Sequence, residues 1–107
     1  MKVNFWFDPT CPWCFVTSRW YSKVANELNI PTTWEIFSLS IKNKSTKRTP
    51  EMQEKHYRSL RVLRIIQSVK DNLTNDHVYN LYKALGSQVH FDKQPIDSNL
   101  ENILSNY

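Results

Sequence analysis

Two cysteines, Cys11 and Cys14, are the side chains best suited to chemistry in this 107-residue sequence. They stand as Cys11-Pro12-Trp13-Cys14, and the sequence holds no other cysteine. A disulfide framework needs several pairs spread along a chain. A closed zinc site needs four ligands. The other ligand candidates are His56, His77 and His90, whose spacings form no recognised pair. A Cys-x-x-Cys with no further cysteines points to redox chemistry if its surroundings fit. A thiol attacks as its thiolate, and free Cys titrates near about 8.5. Cys11, just before Pro12, would sit at a helix amino terminus, where unpaired N–H groups and the helix dipole lower a thiol's pKa. Cys11 is then the attacking thiol, and Cys14, one turn in and more shielded, the resolving thiol. Pro12 withholds an N–H and Trp13 adds apolar surface beside the sulfur. The plain alternative is two ordinary buried thiols or half of a metal site.

The flanking elements decide between these readings. Residues 2–8 read as a strand, with Val3, Phe5 and Phe7 alternating on one face and Trp6 on the other. Asp8-Pro9-Thr10 breaks it. Residues 11 to about 28 read as a helix, with Pro12 in its first turn. Its stripe is Val16, Trp20, Val24 and Leu28, with Phe15 and Tyr21 beside it. Residues 32–39 read as a second strand, rich in β-branched and aromatic side chains. The unit is βαβ, with parallel strands joined by a right-handed crossover. The cysteine pair falls at the carboxyl end of the first strand, where chemistry gathers in open α/β sheets. A redox-active pair is the stronger reading in that setting.

After a polar, basic loop at residues 42–49, the pattern becomes helical. A long helix is expected from Pro50 to about Leu73. A shorter one is capped by Asn75 or Asp76 and stopped by Gly86. Residues 87–95 form a connection carrying His90. A last helix follows a cap at Asp97 or Ser98. The expected class is α/β: a βαβ unit over residues 1–41, followed by an α-helical stretch over residues 42–107.

Composition limits the alternatives. Gly86 is the one glycine, which rules out a Gly-rich phosphate cradle and a dinucleotide fingerprint. No run is long and apolar enough to span a membrane. The first 15 residues lack the features of a signal peptide. The expected compartment is the cytoplasm. The formal charge is +4, and the excess is local: residues 42–64 hold eight basic residues against Glu51 and Glu54. Such a cluster attracts anions. No nucleic-acid motif accompanies it, so a solvated helix face plus a charged loop is favoured over a nucleic-acid partner.

The run Phe5-Trp6-Phe7-Asp8-Pro9-Thr10-Cys11-Pro12-Trp13-Cys14, followed by Thr17-Ser18-Arg19-Trp20, resembles the start of the DsbA-like thiol oxidoreductases of actinobacteria. Within them it is most similar to the mycothiol-dependent nitroreductase branch. The likeness extends through Ser38-Leu39-Ser40-Ile41 and Asn43, and returns in Leu81-Tyr82-Lys83-Ala84-Leu85-Gly86 and Val89-His90. It implies a thioredoxin fold with an inserted helical domain, and a cytoplasmic enzyme cycling Cys11 between thiol and disulfide. Mycothiol is the implied reductant, with no covalently bound cofactor. Some members reduce nitroaromatic compounds with a deazaflavin or related cofactor. By position, Pro12, Trp13, Asn43 and His90 would contact the substrate or thiol. Asn43 and His90 match family residues near the cysteine pair, and His90 would stabilise the thiolate or relay a proton. Without the resemblance, both read as loop residues.

The chain departs from that family in length. Nothing after Leu39 reads as a strand, and Pro50 and Pro95 do not sit where a thioredoxin fold places its cis-proline. The outer edge of the first strand is expected to be unpaired and apolar. A fragment is favoured over completion by a second chain or by edge-to-edge pairing of two copies. Two other functions compete: a kappa-class glutathione transferase or isomerase, against which Cys11 argues, and a remnant or interaction module without full activity.

Overall fold

The computed structural model describes residues 1–42, 47 and 49–106. The first strand, β1 (Val3–Phe7), is followed by helix α1 (Pro12–Leu28) and strand β2 (Thr32–Ile36). The strands pair in parallel from Val3 opposite Thr32 to Phe7 opposite Ile36. A single turn, α2 (Leu39–Lys42), leads to the long α3 (Pro50–Asn72), then α4 (Asn75–His90) and the short α5 (Leu100–Leu104). The expected thioredoxin-like βαβ start and the following helices are both present. The sheet has two strands among the described residues.

One aromatic-rich core joins the sheet to the helices. Phe7 from β1 stacks on Tyr82 from α4 at 4.0 Å between ring centroids. Trp34 from β2 stacks on Tyr79 at 4.5 Å. Val62, Leu63 and Ile66 of α3 and Val78, Leu81 and Leu85 of α4 complete the cluster. Burial of large apolar side chains of this kind stabilises by roughly 1.5–3 kcal/mol each.

The two edges of the sheet are treated differently. Trp34 N–H donates to Asn75 Oδ1 at 2.9 Å, and Asn75 Nδ2 donates to the Thr32 carbonyl. The Asn75 amide therefore stands in for a neighbouring strand along β2. Thr74, not Asn75 or Asp76, is the N-cap of α4. The other edge, β1, has no neighbouring strand among the described residues.

Several expectations are corrected. The strands are shorter than read, and residues 39–42 are helical because Leu39 N–H is drawn onto a buried carboxylate. The stripe of α1 is turned outward: Val16, Trp20 and Leu28 are 62%, 65% and 66% exposed. The buried face is instead Phe15, Ser18 and Ala25. Spacing alone could not rank two adjacent apolar faces. The cap of α5 is Asn99, in the left-handed region, rather than Asp97 or Ser98. Gly86 does not stop α4, which continues to His90.

Gly86 serves close packing. A Cβ at Gly86 would overlap the edge of the Phe15 ring and lie 3.2 Å from its Cγ. That ring is held by Tyr82, His90 and Phe91, so it cannot swing aside. Alanine favours a helix interior by about 1 kcal/mol over glycine, but overpacking costs about 1–3 kcal/mol. The Gly86→Ala chain is therefore expected to melt several degrees lower in a thermal scan. An unchanged or higher melting temperature would contradict the packing role.

Candidate active site

The site is built on the turn between β1 and α1. Cys11 is the N-cap of α1, with extended backbone (φ −84, ψ 112), and its Sγ accepts from Cys14 N–H at 3.3 Å. That contact replaces the oxygen cap usual at helix starts. Pro12 occupies the first helical turn, where no N–H is needed. Cys14 lies one turn further in. Both cysteines are half-buried free thiols.

Asp8 fixes the turn. Its carboxylate is 1% exposed. Oδ1 accepts from Thr10 N–H at 2.9 Å, Thr10 Oγ1 at 2.7 Å and Ser59 Oγ at 3.3 Å. Oδ2 accepts from Leu39 N–H at 2.9 Å. The Asp8 carbonyl accepts from Cys11 N–H at 3.0 Å. One residue thus ties the cysteine turn to α2 and α3.

Electrostatics separates the two sulfurs. Burial, reinforced by the Cys11 side chain, pushes the Cys14 thiol up from 9.0 to about 11. At neutral pH Cys14 is a protonated thiol. Tyr82 near the pair is fully buried, and its hydroxyl meets no hydrogen-bond geometry among the described residues, Ser18 being its nearest polar neighbour. Ser18 Oγ is committed to the Phe15 carbonyl at 2.7 Å. Burial holds the Tyr82 phenol well above its ordinary range.

A cleft of about 750 Å³ opens beside Cys11, within the usual size of small-ligand sites. Thr10, Cys11 and Pro12 line one wall, Met52, Lys55, His56 and Arg58 of α3 another. Val89 and His90 of α4 and residues 93–96 close it. His90 is the half-buried last residue of α4 rather than part of a connection. Its Nε2 lies 2.8 Å from the Pro9 carbonyl. A carbonyl only accepts, so Nε2 carries a hydrogen. The ring also stacks on Phe15 at 5.2 Å. His90 thus braces the residue two before Cys11 while facing the same cleft.

The structure brings Cys11, Pro12 and His90 together around the cleft. Trp13 is 79% exposed and is not among the lining residues. Asn43 lies outside the described residues. No group of three or more His, Cys, Asp or Glu arranged for a metal occurs among the described residues. No described helix is long and apolar enough to cross a membrane.

A family match accompanies this geometry. Residues 10–106 match the family described as Rv2466c-like, after the mycothiol-dependent nitroreductase Rv2466c. The chain belongs to that family. Rv2466c-like proteins are thus enzymes by the description of their namesake, and the match runs from the cysteine turn through α5. The chain is also 46% identical over 37 residues to an uncharacterized protein, Rv2286c, of Mycobacterium tuberculosis. That similarity covers 35% of this chain and 16% of that protein. By these shares the chain is about half as long as that protein.

Sequence reading missed Asp8, taken as a strand breaker. The signal for Asp8 was present: an Asp two residues before Thr10 is an Asx turn, in which the carboxylate caps the following backbone. The partners Leu39 and Ser59 are remote in sequence and carry no such signal.

Two outcomes follow from this geometry. Asp8→Asn places an amide NH₂ against a donor, Leu39 N–H or those of Thr10. An unsatisfied buried donor costs about 1–3 kcal/mol, so the denaturant midpoint should fall; an unchanged midpoint would contradict the role of Asp8. In a Cys11→Ser chain, the alkylation rate of Cys14 should keep rising with pH well beyond 9.0, because burial disfavours its thiolate. A plateau below pH 9 would contradict the shielding of Cys14.

Proposed function

We propose that this chain is a thiol–disulfide oxidoreductase of DsbA type that uses Cys11 as attacking thiol and Cys14 as resolving thiol. One observation carries the reading: Cys11 Sγ caps a helix amino terminus at the edge of a cleft, with Cys14 N–H aimed at it. A helix end is an established setting for a reactive cysteine.

The Cys11 thiolate attacks one sulfur of a small disulfide. The substrate S–S bond breaks, its electron pair leaves on the departing thiolate, and a mixed disulfide forms. Cys14 then gives its proton to water and attacks Cys11 Sγ, expelling the second thiolate. The substrate gains two electrons and the protein is left with a Cys11–Cys14 disulfide. Two molecules of a low-molecular-weight thiol restore the dithiol. Mycothiol is the proposed thiol, because the namesake of the family is a mycothiol-dependent enzyme. The protonated state of Cys14 suits this order, since it does not compete for the first attack. Nitroaromatic compounds are the second proposed acceptor class, supported by the same family description. Asn43 and Trp13 remain proposed substrate or thiol contacts, supported by the family resemblance alone. A deazaflavin ring finds no Phe, Tyr or Trp to stack on among the residues lining the cleft, so these residues do not fit it.

The partner proposed for β1 is a strand-bearing segment, from a second copy or a complementing chain. Its support is the open β1 edge together with exposed Trp6, Val16 and Trp20. The cytoplasm remains the proposed compartment, where a dithiol is kept reduced.

The test is trapping. A Cys14→Ser chain incubated with the disulfide of a small thiol should gain the mass of one thiol at Cys11 and hold it. A Cys11→Ser chain should gain at least about tenfold less in the same time, reflecting the thiolate dependence of attack. Equal labelling of the two chains would overturn the assignment. No labelling of either would favour a remnant without activity.

A further inference from the structure

The lining of the Cys11 cleft is one-sided in charge. Lys55, Arg58 and Lys93 line it, together with His56 and His90, and no Asp or Glu does so among the described residues. Their situations differ. Lys55 Nζ lies 3.6 Å from Glu51. Arg58 lies 3.1 Å from Glu54 and 3.8 Å from Asp97. Lys93, next in the chain to Asp92, is the one of the three with no ion pair among the described residues.

The backbone at Lys93 is also held in place. It lies in the left-handed region at φ 56, uncommon for a residue with a side chain. The surrounding loop is pinned to α4. Asp92 N–H donates to the Ser87 carbonyl at 3.1 Å and Gln94 N–H to the Gln88 carbonyl at 3.0 Å. The buried Gln88 side chain donates to the carbonyls of Pro95 at 2.9 Å and Ile96 at 3.2 Å. A cation lining a cleft, on a loop whose backbone is fixed, focuses field on what enters.

We propose that the cleft selects substrates carrying a carboxylate or other anionic group beside the reacting sulfur, and that Lys93 sets this selection. The proposal rests on the reading of Cys11 as the attacking thiol. The apolar parts of Met52, Val89 and Ile96 take the body of the substrate. Its sulfur meets Cys11, and its anionic group sits towards Lys93. The exchange is the one already given, with the substrate disulfide accepting two electrons.

The reduced full chain is mixed with two aromatic disulfides, anionic dithiobis(nitrobenzoate) and neutral dithiodipyridine. Each rate constant is divided by that of a free small thiol with the same probe, which removes intrinsic reactivity. The ratio of anionic to neutral rates should exceed one at low salt and fall towards one in molar salt, where screening is nearly complete. Lys93→Glu should lower the ratio by about tenfold, in keeping with a charge contact near a protein surface. Lys93→Gln should lie between. A ratio that ignores both salt and the two variants overturns the selection by Lys93 while leaving Cys11 as nucleophile. Failure of both probes to react at Cys11 overturns the nucleophile and this proposal together.

Discussion

The whole site depends on where Asp8 puts its carboxylate. It is buried at the end of β1, and four hydrogen bonds from Thr10, Leu39 and Ser59 satisfy it. A buried acceptor of this strength is tolerable only when its donors are fixed. In return it holds the donors: the turn before Cys11, the first residue of α2, and the middle of α3. The wall of the cleft formed by α3 and the wall formed by the cysteine turn are therefore set by one side chain. His90 adds a second brace from α4, through the Pro9 carbonyl.

This framework gives two cysteines of one element different chemistry. Cys11 stands outside the first helical turn and receives an N–H from Cys14. Cys14 is inside the helix, where burial keeps it protonated. The separation needs no metal and no glycine-rich loop. It needs a strand end, a helix start and a two-residue spacing, with Pro12 occupying a position where a missing N–H is harmless.

The sequence made the Cys11–Cys14 pair, the βαβ order and the long α3 legible, because each rests on local pattern. The features that were misread rest on remote contacts. Gly86 looks like a helix stop, yet its reason is the Phe15 ring arriving from α1. Val16 and Trp20 look like core, yet Phe15 and Ser18 on the adjacent face are the buried ones. Asn75 looks like a cap, yet its amide pairs with β2 across more than forty residues. Lys93 is one basic residue among fourteen in composition, and only the fold shows that it lines the same cleft as Cys11 with no ion pair among the described residues. The domain division at residue 41 follows the change of pattern, while the aromatic core draws on both sides of it.

The most direct test of the central claim is equilibrium of the chain with thiol–disulfide buffers of graded potential, read by mass after quenching with an alkylating agent. A redox-active Cys11–Cys14 pair should pass between fully dithiol and fully disulfide forms in one reversible two-electron transition, with a midpoint independent of the direction of approach. A chain that stays dithiol across the range, or that accumulates singly modified species without closing a disulfide, would contradict it.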